Sequence, residues 1–367
     1  MFEEKTLREI AMLQTQGPVL SLYLDVDPTQ RTVDEYKLTL RELLKQAEGQ
    51  ADPADIEAVK RYLDLEYDWS GRGLVIFSRK AEGLWLVYPL AIPVRSGITI
   101  ANKPYISPLV ELAGLYGRYV VAVADRQQAR FYLFEMGELV ELAEVIGEEV
   151  RTVRRGRGSS MVGMRGGAPL SGRKEAEVVQ RNLRDVADAL TDFCQQHHPR
   201  RLLLAGTERT QAQLREYLPQ HIREIIVGTF NADLDIGEPE LRQQSQAILE
   251  ELQRQRQADL VEMVITAAAK GSNGVVRLDD TLSAAHEGRI QVLVVERNFH
   301  QTGYRCTGCG YLTTQELSTC PFCSGSFETI PDAAEAVVTQ VIEKGGMVEV
   351  VPDGMLGEAH IGALLRY

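Results

Sequence analysis

Four cysteines fall within eighteen residues as two pairs, Cys306-Thr-Gly-Cys309 and Cys320-Pro-Phe-Cys323, with ten residues between the pairs. Glycine follows each pair closely, at Gly310 and Gly325, and lets the backbone turn around a bound ion. Four thiolates at this spacing fit tetrahedral zinc with Zn–S distances near ~2.3 Å. Two reversible disulfides, or four unrelated buried thiols, are the alternatives. A four-cysteine site leaves no open coordination position, so Zn2+ at Cys306, Cys309, Cys320 and Cys323 would hold a ribbon over 304–327 together and perform no chemistry. The fifth cysteine, Cys194, stands alone in a helical pattern and reads as a buried apolar side chain.

Around this cluster the pattern alternates between strand and helix. Pro18–Leu24, Gly73–Phe77 and Leu84–Tyr88 read as strands. Helices are predicted from Val33 to Gln46, with Leu38, Leu40, Leu43 and Leu44 as apolar members, and from Pro53 to Leu65 behind Asp52 as N-cap. Tyr119–Ala124 is a strand, and Ala129–Phe134 with Leu139–Ala143 forms a hairpin about Met136-Gly137. A helix over Glu175–Gln195 precedes a strand at Arg201–Ala205, a helix around Gln211–Tyr217 and a strand at Glu224–Val227. A long polar helix, Glu238–Lys270, carries a sparse stripe of Ile248, Leu252, Leu260, Val264 and Ile265. Helices at Asp280–Glu287 and Asp332–Lys344 and strands at Gln291–Val295 and Met347–Val351 complete the pattern. The fold class is therefore α/β in three domains, 1–116, 117–237 and 238–367, the zinc ribbon being inserted in the third.

The composition changes once. Between Arg151 and Lys174 there are seven basic residues, no acidic one, six glycines and three serines. The whole chain of 367 residues carries −12, so the rest is more acidic still. Such a stretch cannot build a core. Its arginines suit phosphate contacts, and Arg151, Arg154, Arg155, Arg157, Arg165, Gly166, Gly167, Arg173 and Lys174 are the candidate RNA-binding residues. A solvated surface loop is the plainer reading of the same composition. Net acidity argues against nonspecific coating of nucleic acid by the whole surface. The longest apolar runs are strand-length, and the charged start MFEEKTLREIAML lacks an apolar signal core, which points to a cytoplasmic protein without a membrane segment. His197-His198, before Pro199, suit a helix end better than a ligand pair. The glycine-rich segments 156–158 and 163–167 are not phosphate loops, because neither opens a helix directly after a strand and no Gly-Lys-Ser/Thr follows. No nucleophile elbow or metalloprotease helix motif occurs.

In the order of its parts the chain resembles the archaeal–eukaryotic class-one peptide release factor family, which includes Pelota-like rescue factors and bacterial members. The resemblance covers nearly the whole chain. Val19–Leu24, two helices and Gly73–Phe77 look like the family's first domain, and Tyr119–Asp125, the hairpin, the loop and the following helix like its middle domain. Gly274–Leu282, Gln291–Val295, the ribbon and Ile361–Tyr367 look like its last. Terminating members carry Asn-Ile-Lys-Ser between the first domain's helices; Lys45–Pro53 lacks it here. They also carry Gly-Gly-Gln at the tip of the middle loop, where glutamine places water against the peptidyl-tRNA ester. Here the best match is Arg165-Gly166-Gly167-Ala168, and alanine has no amide to orient water.

The combination is similar to the ribosome hibernation factors of the bacterial branch. It implies a monomeric, non-catalytic factor in the A site of the bacterial ribosome, in contact with rRNA, with elongation factor Tu or another translational GTPase as a partner. The competing implication is a rescue enzyme that hydrolyses peptidyl-tRNA or cuts tRNA on stalled ribosomes. Arg155, Arg157 and Ser159 would then assist, but no residue is positioned as a general base.

Overall fold

Residues 4–69, 71–148 and 168–367 are described by the structure, a computed structural model. The first segment runs α1 (Glu4–Ala11), β1 (Val19–Asp25), α2 (Val33–Ala47), α3 (Pro53–Leu65), β2 (Gly73–Arg79), β3 (Leu84–Leu90), β4 (Gly97–Ala101) and α4 (Ser107–Tyr116). Its strands form an antiparallel sheet in the order β3-β2-β1-β4. Alternate residues Leu20, Leu22 and Leu24 of β1 face Tyr36, Leu40, Leu43 and Leu44 of α2 and Val59 and Leu63 of α3. Leu38 departs from the sequence reading and is 56% exposed. It lies two residues from Tyr36 and Leu40, and a two-residue step turns a side chain to the far side of a helix. Local chemistry fixes both helix starts. Glu35 Oε2 accepts from the Thr32 N–H at 2.7 Å, and Asp52 Oδ1 accepts from the Ala54 N–H at 2.9 Å ahead of Pro53.

The middle elements are β5 (Tyr119–Ala124), β6 (Gln128–Glu135), β7 (Glu138–Ile146), α5 (Ala168–His197), β8 (Arg201–Gly206), α6 (Glu208–Tyr217), α7 (Gln220–Arg223), β9 (Ile226–Phe230) and α8 (Glu238–Ala269). The sheet order is β7-β6-β5-β8-β9, antiparallel through β6 and β7 and parallel through β8 and β9. Met136 and Gly137 both have positive φ, 48° and 79°, as a two-residue hairpin turn with the strands' own twist requires. One face of the sheet packs on α5 and α6 through Phe131, Leu190 and Leu204. The other packs on the first half of α8 through Tyr119, Leu203, Leu241 and Leu249. Cys194 is buried against the first of these faces, and burial pushes its thiol up to about 12. The last strand begins at Ile226, two residues beyond the expected Glu224, because the turn of α7 still holds Glu224, whose N–H bonds to the Gln220 carbonyl.

The final elements are β10 (Gly274–Val276), α9 (Leu278–His286), β11 (Ile290–Glu296), β12 (Gly303–Cys306), β13 (Leu312–Thr313), β14 (Phe327–Ile330), α10 (Ala333–Glu343), β15 (Met347–Val351) and β16 (Ile361–Leu365). They form a mixed sheet, β10-β16-β11-β15, and a small sheet, β13-β12-β14. The second half of α8 covers the mixed sheet with Leu260, Val261 and Val264, while Ile265 of the expected stripe is 44% exposed. Part of its buried face is polar. Gln253 and Gln257 both donate to Glu349 Oε1, and Gln257 Nε2 also donates to the Val350 carbonyl at 2.8 Å.

The chain divides into two compact units, one of Met1–Leu115 with Gln253–Tyr367 and one of Tyr116–Leu252. Inside the first unit Glu335 helps tie the two chain segments together, alongside the Arg297–Glu111 and Lys103–Glu343 pairs. Glu335 of α10, fully buried, accepts from the Ile106 N–H at 2.7 Å and bonds the Ser107 hydroxyl at the start of α4. Burial outweighs these hydrogen bonds and raises the Glu335 carboxyl from 4.5 to about 8. The folded chain therefore binds this proton more tightly than the unfolded one, and stability falls as pH rises from about 4.5 to about 8. Glu335→Gln keeps the shape and removes the proton. Its stability should match the parent's below pH 4 and exceed it above pH 8, by on the order of a few kcal/mol, read as a higher melting temperature. Parallel melting curves across that range would exclude a buried titrating carboxyl.

Candidate functional site

The two cysteine pairs meet in the small sheet. Cys306 ends β12, and its N–H is held by the Tyr311 carbonyl at 2.8 Å as the chain turns back toward β13. Cys320 and Cys323 bracket a second turn, in which the Ser324 N–H bonds to the Cys320 carbonyl at 2.8 Å before β14 begins. All four Sγ atoms lie within 4.8 Å of one another, with Cys306–Cys323 at 3.4 Å and Cys309–Cys320 at 3.5 Å. A tetrahedron of Zn–S bonds needs sulfur separations of about 3.8 Å, within this range.

The backbone around the sulfurs is built for close approach. A Cβ at Gly308 would meet Cys323 Sγ at 3.0 Å, and one at Gly325 would meet Cys306 Sγ at 3.1 Å. The Gly308 N–H points at Cys306 Sγ from 3.4 Å, and Gly310 turns with φ 74°. Backbone N–H groups, Cys309's first, hold the Cys306 thiol down to about 6, whereas burial pushes Cys309 up to about 12. A donor set of four sulfurs, with N–H groups directed at one of them, fits a metal ion. With every sulfur committed, such an ion shapes the ribbon and has no position left for a substrate.

The basic segment gives a different result. Arg151, Arg154, Arg155, Arg157, Arg165, Gly166 and Gly167 lie outside the described residues. Arg173 and Lys174 do not belong to a loop, because α5 starts at Ala168, seven residues before the expected Glu175. Pro169 suits a first helical turn, where its missing N–H costs nothing. Ala168, standing where the family's glutamine would be, is the first residue of that helix.

What the structure adds is a clamp at Glu148, the last described residue before the basic segment. Asn182 of α5, 1% exposed, donates from Nδ2 to the carbonyls of Arg126 (3.2 Å) and Glu148 (2.9 Å). Its Oδ1 accepts from the Glu148 N–H at 2.9 Å. Gly147 fits beneath it, since a Cβ there would come within 2.5 Å of Asn182 Oδ1. Arg181–Glu148 at 2.9 Å and Arg126–Glu175 at 3.0 Å flank the clamp. Nothing in the sequence pattern points to this clamp. Asn182→Ala leaves three backbone groups without their partner, a cost of about 1–3 kcal/mol. The expected readout is faster amide exchange at 126–127 and 147–148 with an unchanged metal content; unchanged exchange there would show that the clamp is dispensable.

At the end of α5, His198 takes φ 48°, and its N–H bonds to the Cys194 carbonyl at 2.9 Å. It terminates the helix, as the sequence suggests for a histidine before Pro199.

Residues 104–268 match the model of the family described as bacterial archaeo-eukaryotic release factor family 10. That segment is release-factor-like. The match takes in α4, the middle sheet and its helices, and most of α8. Among solved structures, an archaeal translation termination factor, aRF1, shares 15% identity over 100% of this chain and 99% of its own, with a TM-score of 0.26. Archaeoglobus fulgidus Pelota shares 14% over 98% and 91%, with a TM-score of 0.36. Dom34 of S. cerevisiae, a translation termination-like factor that interacts with Hbs1, shares 11% over 80% and 79%, with a TM-score of 0.40. With TM-scores below 0.5 these likenesses carry no weight of their own. No curated protein matches the chain.

The junction between α2 and α3, where the sequence lacks Asn-Ile-Lys-Ser, is short. α2 ends at Ala47, the Gln50 and Ala51 N–H groups turn back onto the Ala47 carbonyl, and α3 starts at Pro53. Among the described residues no helix is long and apolar enough to cross a membrane.

Proposed function

We propose that this release-factor-like chain is a translation factor that binds the ribosome and occupies the A site without decoding a stop codon or releasing peptide. In this reading it acts as the hibernation factor Balon does. The observation that carries the reading is the release-factor family match over 104–268 combined with Gly166-Gly167-Ala168 in place of Gly-Gly-Gln. A chain with the family's middle segment but no amide at that position retains a means of binding and lacks the group that orients the hydrolytic water. In this reading the three domains, 1–116, 117–237 and 238–367, face the decoding centre, the peptidyl transferase centre and the factor-binding region in turn. Elongation factor Tu or another translational GTPase is the partner there. The four cysteines hold structural zinc.

Co-sedimentation with vacant bacterial ribosomes across a salt series tests the proposal. One chain per ribosome at near-physiological salt, released steeply as salt rises, is the expected result. Failure to bind empty ribosomes, together with peptide release or tRNA cleavage on stalled complexes, would replace occupancy by the rescue-enzyme reading.

A further inference from the structure

The unit formed by Met1–Leu115 and Gln253–Tyr367 contains two neighbouring cavities of about 390 and 440 Å³. Ile98, Thr99, Tyr105 and His300 line both, so the imidazole of His300 stands where the two adjoin. Neither cavity includes the metal cluster or the basic segment. We propose that this cleft binds a small anion that carries a ring, of the nucleoside monophosphate class.

The argument is an inventory of hydrogen-bonding groups in the larger cavity. Its carboxylate, Glu111, is fully used by Arg297, with Nε at 2.9 Å from Oε2 and Nη2 on Oε1. Tyr23 donates to the Tyr105 carbonyl, Ser96 Oγ accepts from the Asp25 N–H, Ser107 bonds Glu335 and Asn298 bonds Asp353. Four groups have no hydrogen-bond partner among the described residues: the Arg95 guanidinium, the Thr99 and Tyr105 hydroxyls and Nε2 of His300. All four can donate and two can only donate when His300 is charged, so the cavity presents unmatched donors and calls for an acceptor-rich ligand. A phosphate monoester supplies such acceptors, and Arg95 can take two of its oxygens at once.

His300 is set up for this. Asp332 Oδ2 holds Nδ1 at 2.6 Å, which fixes the ring and leaves Nε2 for a ligand. Asp332 is itself anchored, its Oδ1 accepting the Ala334 N–H at 2.9 Å at the start of α10. The same carboxylate raises the His300 pKa and so favours the cation. Asp353, which lies near both Arg297 and Arg95, is already held by the Asn298 backbone N–H at 3.0 Å. The remaining wall is apolar and aromatic, with Pro93, Val94, Pro108 and Leu112 beside Tyr23 and Tyr105. That wall suits a flat ring. A cavity of 440 Å³ lies in the size range of small-molecule sites, about 300–1,000 Å³.

The site does not depend on the ribosome reading, and the test keeps the two apart. The full-length protein is titrated calorimetrically with AMP, GMP, CMP and UMP, then with the nucleoside of the best binder and with inorganic phosphate. At least one monophosphate should bind with a Kd below about 1 mM, and its nucleoside and phosphate alone about tenfold or more weaker. Arg95→Ala, at an exposed position, and His300→Ala should each weaken it at least about fivefold while the melting temperature of Arg95→Ala stays unchanged. A variant with Arg154, Arg155, Arg157 and Arg165 replaced by alanine should bind as the parent does. The proposal is overturned if no monophosphate binds at about 1 mM, if Arg95→Ala and His300→Ala both bind normally, or if the loop variant alone abolishes binding.

Discussion

Cys306→Ser combined with Cys309→Ser should eliminate bound metal and unfold the ribbon while leaving the α/β sheets folded. The expected effect is large because the ribbon has little else to hold it. Its strands have four, two and four residues, and its buried side chains are few beyond Cys306, Cys320, Leu312 and Ile330. A structural zinc site of this kind is worth on the order of 10 kcal/mol of folding free energy at neutral pH. A small sheet with so little apolar area cannot replace that. Zinc released on denaturation should fall from one per chain to none, and amide protection over 303–330 should collapse. The rings of Phe322 and Tyr311 that pack on His286, at 4.4 and 5.1 Å, report the loss from the outside. A double variant that keeps one metal per chain, or a parent whose ribbon protection survives metal chelation, would refute the assignment.

Replacing Arg154, Arg155, Arg157 and Arg165 by alanine should lower ribosome affinity by about 10²–10³ and flatten its salt dependence. Each arginine that neutralises a phosphate contributes roughly 0.7–0.9 to the slope of log K against log salt, so four remove about three. The change is expected at every salt concentration tested, with the gap narrowing as salt rises. Zinc content and melting temperature should not move. A slope that stays the same would place the ribosome contact elsewhere on the chain.

These two experiments address the parts that the sequence displays most openly. Cysteine spacing alone points to the cluster, and the fold brings the four sulfurs within 4.8 Å of one another, as a tetrahedral metal site would need. Periodicity gives the α/β class and most elements. Tyr119–Ala124, Pro53–Leu65 and Met347–Val351 form as read, since each pairs a strong pattern with clear turn or cap residues. Where the reading slipped, a weaker local signal met a tertiary demand. Leu38 and Ile265 are apolar and sit at helical spacing, yet neither faces the sheet that its helix covers.

Composition also sets the cationic character of 151–167. Tertiary structure alone decided which polar side chains hold the fold together. Asn182, Gln253, Gln257 and Glu335 look like ordinary solvated positions on helices, because each has its partner far away along the chain. Glu335 finds Ile106 across 229 residues, and Gln257 finds Val350 across 93. The same distance effect joins Met1–Leu115 with Gln253–Tyr367 in one unit and creates the cleft at His300. A hydrogen bond is specific only once both partners are in place, so sequence patterns record which face of a helix is apolar but not which distant group a buried amide or carboxyl will meet.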